Sequence, residues 1–184
     1  SDSNLGYRQD FLLPVKENGQ QQRGRAGERA LYVWSQSFNG FDNTLLIQVL
    51  KAKAIESVLV SAGEKTDPAK LRRFMALASD AGLRVELMVS DNTWVAPDKT
   101  AKVDAAVARL FALGPNLHLD VEPHTFKDFK VNRAAYMERM ARLLKRVAAL
   151  RKPGQTVSVS LPTLLTRAEV DALAPHVDRV YAMA

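Results

Sequence analysis

Four side chains that could perform acid–base or metal chemistry occupy every second position of one short segment. The segment NLHLDVEPHT (116–125) carries His118, Asp120, Glu122 and His124. Side chains alternate between the two faces of a β-strand, so the first three share one face if the segment is extended, with successive members about 6 to 7 Å apart at the backbone. Two neighbouring carboxyl groups can hold one proton between them. Such a pair is a candidate for general acid catalysis.

The residues between these polar positions are apolar. We expect Leu117, Leu119 and Val121 to point to the opposite face and to pack against helices. Glu122 would then lie at the carboxyl end of the strand, where parallel-sheet enzymes place their active sites. A structural interpretation stays open, in which the polar face is a hydrogen-bonded network tied to lysines or arginines of neighbouring strands.

The rest of the chain alternates between strand-like and helical patterns. Strand-like runs cover 30–35, 57–62, 84–90, 117–122, 156–162 and 179–184, and helical patterns cover 43–55, 67–82, 98–114, 132–154 and 166–177. This alternation favours a parallel sheet, either doubly wound or part of an eight-stranded barrel. Because the first strand is not followed by a G-x-G-x-x-G loop, a dinucleotide fold lacks its main signal. We predict an α/β fold, a parallel (β/α) barrel of TIM type, incomplete at six sequential strand units.

The domain organisation follows from this pattern. Residues 1–29 are interpreted as a leader, within which the polar tract KENGQQQRGRAGER (16–29) predicts a mobile loop. Residues 30–184 form the predicted barrel domain. Two further strand–helix units, on the order of 50 to 70 residues, are expected beyond the last residue because a full barrel has eight.

Composition limits the classes of function. The 184 residues are 47% hydrophobic and 25% charged, which is typical of a globular domain. No apolar run is long enough to span a membrane, and the absence of cysteine excludes thiolate chemistry. The net charge of +6 is spread over scattered basic residues without an aromatic-rich binding motif, so a nucleic-acid partner is not favoured. The compartment stays open, with secretion or the periplasm as candidates.

The segment NLHLDVE (116–122) resembles the fourth strand of glycoside hydrolase family 18, the chitinases and related endoglycosidases. That family's motif is D-G-x-D-x-D-x-E, and the match covers Leu117, Leu119, Asp120, Val121 and Glu122. The resemblance implies that Glu122 is the general acid and that Asp120 stabilises the acetamido group of the substrate. The acetamido carbonyl oxygen would then serve as the nucleophile.

Two other segments resemble strands of the same family. ALYVWS (30–35) is similar to its first strand, and DRVYAMA (178–184) is similar to its sixth, with Met183 on the motif's methionine. The chain also departs from the family. Pro115, Asn116 and His118 replace the motif's first Asp, its Gly and its second Asp, and VSDNTW (89–94) stands where the third strand carries S-x-G-G.

A site of this kind also needs groups that hold the sugar. Trp34 and Trp94 lie at the predicted carboxyl ends of strands and could form aromatic platforms, although they could equally cap the core. His118, one step deeper than Asp120, could hold that carboxylate in its ionisation state. Tyr181 and His124 complete the predicted substrate-binding set. The expected partner is a carbohydrate polymer, and no cofactor or metal is expected.

Two alternatives remain. In the first, His118, Asp120, Glu122 and His124 are the ligands of a metal-dependent hydrolase. HLDVEPHTFKD resembles the E-x-D strand of glycerophosphodiester phosphodiesterases, but the first strand lacks the His-Arg-Gly of those enzymes. In the second, the chain is a non-catalytic carbohydrate-binding barrel. Such barrels usually lose the acid, which this chain retains.

Overall fold

The computed structural model describes residues 29–183 together with three short strands near the amino terminus. These strands are β1 (Leu12–Leu13), β2 (Lys16–Glu17) and β3 (Gln20–Gln21). β2 and β3 pair with each other in antiparallel register. The rest of the predicted leader, including most of the predicted mobile loop, lies outside the described residues, as does Ala184.

Six longer strands alternate with helices along the remainder of the chain. The strands are β4 (Ala30–Val33), β5 (Ser57–Ser61), β6 (Arg84–Val89), β7 (Asn116–Leu119), β8 (Thr156–Pro162) and β9 (Arg179–Met183). The helices are α1 (Ser35–Gly40), α2 (Asn43–Ala52), α3 (Pro68–Asp80), α4 (Thr100–Leu113), α5 (Phe129–Ala149) and α6 (Arg167–Leu173).

The six longer strands are all parallel and lie in sequential order, from β4 to β9. β1 adds to the far side of β9 in antiparallel register. A doubly wound sheet would reverse its strand order near the middle, so the sequential order excludes that architecture. The predicted order is confirmed, and the sheet is a curled half-barrel consistent with an incomplete TIM-like barrel.

The two faces of the sheet differ in chemistry. The face toward the helices is the main hydrophobic core, and Leu117, Leu119 and Val121 are buried in it, as their alternation predicts. The opposite, inner face carries a small apolar cluster of Leu59, Met88 and Tyr181. The remaining buried side chains of the inner face are polar or charged. This division places His118 and Tyr181, two of the predicted site residues, on the inner face.

Local sequence signals explain where the helices begin. Asp67 caps α3 by accepting hydrogen bonds from the backbone N–H groups of Ala69 and Lys70. Thr166 and Glu169 form the predicted capping box at the start of α6. Helix α1 is not predicted by the sequence pattern, and α5 begins at Phe129, three residues earlier than predicted. Within the described residues, no helix combines the length and apolar character needed to cross a membrane.

The turn after α3 yields a test of the backbone. Gly82 follows the last residues of α3 with φ of +69°, and a Cβ added there would meet no atom within 4 Å. We expect Gly82→Ala to lower the free energy of unfolding by about 1 kcal/mol, because only the left-handed backbone opposes the methyl group. Gly40→Ala, also free of contacts but without a positive φ, is the control. Equal effects of the two substitutions in urea denaturation would contradict this account.

Candidate active site

The two predicted catalytic carboxylates follow β7 at its carboxyl end. The strand itself ends at Leu119, three residues before the predicted end. Asp120 is nevertheless tied to β6, because its N–H donates to the carbonyl oxygen of Val89 at 2.8 Å. The Asp120 residue is 6% exposed, and Glu122 is half-buried. The carboxyl end of β7 therefore presents one buried and one accessible acid.

The main chain of Glu122 is held by the loop that follows β6. Its N–H donates to Asn92 Oδ1 at 2.7 Å, and Asn92 Nδ2 donates to Thr125 Oγ1 at 3.0 Å. Thr125 Oγ1 in turn donates to the Glu122 carbonyl oxygen at 2.7 Å. Asn92 was not among the predicted site residues, and it lies in the segment that stands in place of S-x-G-G. These three bonds fix the backbone from which the Glu122 side chain projects.

His118 lies one layer below and is fully buried. Its Nδ1 is 2.8 Å from Ser158 Oγ and its Nε2 is 2.9 Å from Ser160 Oγ. Burial lowers the pKa of His118 from 6.5 to about 4, although the charges of Glu86 and Asp120 act in the opposite direction. The ring is therefore neutral at neutral pH. Both ring nitrogens are bonded to serines of β8, which fixes the ring below Asp120.

A buried carboxylate that sequence analysis did not select lies beside His118. Glu86, on β6, is fully buried and accepts a hydrogen bond from Ser158 Oγ. It also accepts from Tyr181 Oη at 2.9 Å and from Arg84 Nε at 3.1 Å, while a nitrogen of Arg179 lies 3.7 Å away. Its signal in the sequence is a lone acid inside the apolar run RVELMVS. The structural interpretation of the polar face, a network tied to arginines, describes this deeper layer.

Tyr181 belongs to the same layer. The residue is 1% exposed, and its ring meets the His118 ring edge-on at a centroid distance of 5.1 Å. Burial, followed by the charge of Glu86, raises the pKa of Tyr181 well above its usual value. The phenol therefore stays protonated, and its O–H donates a hydrogen bond to Glu86.

The two tryptophans have different surroundings. Trp34 follows β4, is 44% exposed and stacks on Tyr32 with ring centroids 6.4 Å apart. Trp94 is 4% exposed and belongs to the core that faces the helices. It lines an outer groove of about 570 Å³ together with four basic residues of α5, namely Arg139, Arg142, Lys145 and Arg146. The structure thus brings Trp34, but not Trp94, to the aromatic groups of the inner face.

His124 is directed toward α5. It lies on the short 3₁₀ turn Pro123–Thr125, and its ring meets Phe129 edge-on at 6.5 Å. Within the described part of the chain, its buried Nδ1 has no hydrogen-bond partner. Over the same residues, no group of three or more His, Cys, Asp or Glu side chains is close enough to hold a metal ion. His118, Asp120, Glu122 and His124 therefore do not converge as the metal alternative requires.

The neutral state of His118 yields a test of stability against pH. Below pH 6.5 the unfolded chain binds a proton at this histidine that the folded chain refuses until about pH 4. We expect the free energy of unfolding to fall by about 3 kcal/mol from this source as the pH drops through that window. His118→Gln should lose this part of the slope, while His176→Gln should retain it. Identical slopes for wild type and His118→Gln would refute the assignment. If His118→Gln does not fold, NMR titration of the wild-type ring decides.

The sequence matches no protein-family model and no curated protein. The fold is similar to that of the Bacillus cereus spore cortex-lytic enzyme SleL, known from its crystal structure, with a TM-score of 0.54 and 16% sequence identity. The similarity covers 92% of this chain and 44% of that enzyme. The chain thus spans less than half the length of SleL, and at this identity the similarity establishes the fold alone.

Proposed function

We propose that this chain is part of a glycoside hydrolase-like protein that acts on, or binds, a polysaccharide with acetamido sugars. Glu122 is the general acid, and Asp120 is its electrostatic partner. The observation that carries the proposal is the position of these two carboxylates at the carboxyl edge of β7, where Asp120 is buried and Glu122 is half-buried. Active sites of parallel barrels lie at that edge. The fold shared with a spore cortex-lytic enzyme supports the same class of function.

Glu122 meets the requirements of a positioned acid. Its backbone is held on both sides, by Asn92 at the N–H and by Thr125 at the carbonyl. Its side chain is half-buried, so it can contact a ligand while being partly shielded from water. A fixed acid above the glycosidic oxygen would protonate the leaving group as the bond breaks.

Asp120 meets the requirements of an anion that orients an amide. The His118 ring beneath it is neutral, so no imidazolium cation neutralises the carboxylate from below. An anion in this buried position would accept the acetamido N–H and stabilise the positive charge that develops when the acetamido oxygen attacks the anomeric carbon. No protein nucleophile is then needed.

Trp34 supplies the apolar surface that a sugar face requires. Its exposed ring and the stacked Tyr32 follow the first parallel strand, at the same edge of the sheet as Glu122. A non-catalytic binding barrel would use the same platform, so binding alone does not separate the two functions. The effect of replacing Glu122 on hydrolysis does separate them.

The direct test replaces the acid in the full-length protein. We expect Glu122→Gln to reduce hydrolysis of an acetamido-sugar polymer by about 10²-fold or more while leaving binding largely intact, because the amide keeps the shape but cannot donate the proton. Glu56→Gln, an exposed acid that precedes β5, is the control and should keep full activity. Full activity of Glu122→Gln would end the glycosidase proposal.

The metal alternative is separated by a second set of measurements. Under the proposal, Asp120→Asn is severely impaired, whereas chelation has little effect. A metal-dependent hydrolase would instead be inactivated by chelator, and His118→Ala and His124→Ala would be as damaging as Glu122→Gln. Binding of the polymer by the wild type without any hydrolysis would indicate the non-catalytic barrel.

A further inference from the structure

The side chains around His118 form a continuous chain of hydrogen bonds from Glu86 to Tyr32. We propose that Glu86, acting through Ser158, locks His118 as the tautomer that carries its proton on Nδ1. The same chain turns the Tyr32 hydroxyl proton toward the interior. Glu86 and Ser158 are then positioning residues, which no comparison with known proteins assigns. The part of the inference that concerns the ligand rests on the proposed function, whereas the tautomer does not.

Glu86 is the inner end of this chain of hydrogen bonds, and it acts only as an acceptor. The guanidinium groups of Arg84 and Arg179 lie 3.1 and 3.7 Å from its Oε1, and Tyr181 donates to the same oxygen. Every other polar group that contacts Glu86 donates to it, so the carboxyl group acts as the acceptor in this cluster. Ser158 correspondingly donates to its Oε2.

Ser158 then determines the proton position on His118. A serine hydroxyl has one proton, and the other acceptor for it, the Leu117 carbonyl, is 3.4 Å away, farther than Glu86. With that proton committed, the Ser158 oxygen can only accept from His118 Nδ1, at 2.8 Å. Because the His118 ring is neutral, its Nε2 carries no proton.

The unprotonated Nε2 fixes the outer end of the chain. Ser160 must donate its single proton to Nε2 at 2.9 Å. Tyr32 Oη lies 3.2 Å from Ser160 Oγ, and with the serine proton committed, Tyr32 must be the donor in that bond. Four strands thus contribute to one directed chain, with Tyr32 on β4, Glu86 on β6, His118 on β7 and the two serines on β8.

The direction has a consequence for ligand selectivity. A ligand group that contacts the Tyr32 oxygen in addition to the existing partners of Tyr32 must donate a hydrogen bond, because the phenol proton is directed to Ser160. A sugar hydroxyl or an acetamido N–H satisfies this condition, whereas a bare carbonyl or carboxylate oxygen does not. Tyr32 also stacks on the exposed Trp34, so the platform proposed to hold the sugar would carry an oriented acceptor at its inner end.

The decisive experiment reads the tautomer by ¹⁵N NMR at pH 7.5, with resonances assigned through His124→Gln and His176→Gln. We expect wild-type His118 to be protonated on Nδ1 only. In Glu86→Gln, Arg84 and Tyr181 still require an acceptor, which the amide oxygen provides. The amide NH₂ then faces Ser158 and donates to it. The nearer acceptor left for the Ser158 proton is His118 Nδ1 at 2.8 Å, since the Leu117 carbonyl is 3.4 Å away, so we expect the His118 proton to move to Nε2.

Two outcomes would overturn the inference. One is a wild-type ring protonated on Nε2 or on both nitrogens, and the other is an unchanged tautomer in a folded Glu86→Gln variant. If that variant does not fold, the wild-type measurement decides by itself. A merely structural role for Glu86 would lower stability without moving the proton. The tautomer is read without substrate, so the result is independent of whether the protein hydrolyses a glycan.

The role of Tyr32 in ligand binding is tested by a separate experiment. We expect Tyr32→Phe to weaken binding of an acetamido oligosaccharide by about five- to tenfold, the contribution of one hydrogen bond, and to leave the His118 tautomer unchanged. Tyr136→Phe, which removes a hydroxyl bonded to Asp128 on the helical layer, is the matched control and should bind as wild type. Equal binding by wild type and Tyr32→Phe would contradict the acceptor role while leaving the tautomer assignment in place.

Discussion

The buried carboxyl group of Glu86 is the constraint on which the inner face of the sheet depends. A fully buried carboxylate is strongly unfavourable unless charged and polar partners surround it. Here Arg84, Tyr181 and Ser158 supply three hydrogen bonds from β6, β9 and β8. The strands must keep their register for these partners to meet. Removing one partner would weaken the compensation of a buried polar group, so the network favours the observed register of these strands.

This lower layer is distinct from the groups proposed to react. Asp120 and Glu122 lie beyond the last residue of β7, where backbone bonds to Val89 and Asn92 hold them. His118 connects the two layers, since it is buried beneath Asp120 and bonded to serines on both ring nitrogens. A neutral ring places no positive charge beneath the Asp120 carboxyl group. The position at which the chain departs from the family 18 motif thus contributes to the electrostatics of the proposed site.

The sequence was informative wherever periodicity and local signals agreed. Alternating apolar residues predicted the six strands and placed Leu117 and Leu119 in the helical core, and Thr166 with Glu169 predicted a capping box that the structure contains. Ser158 and Tyr181, which donate hydrogen bonds to Glu86, could not be predicted as its partners, because they lie 72 and 95 residues away in sequence. Local patterns do not encode such contacts. Trp94 shows the same limit, since only the packing of the following helices decides which face it joins.

The stereochemistry of the reaction tests the central claim most directly. If Asp120 holds an acetamido group whose oxygen attacks the anomeric carbon, two successive displacements occur, and the first product released must retain the configuration of the cleaved bond. Proton NMR of the earliest anomer formed by the full-length protein from a β-linked acetamido oligosaccharide would reveal this. The account predicts the β-anomer. An initial α-anomer would require direct attack by water and would contradict the roles given to Asp120 and Glu122.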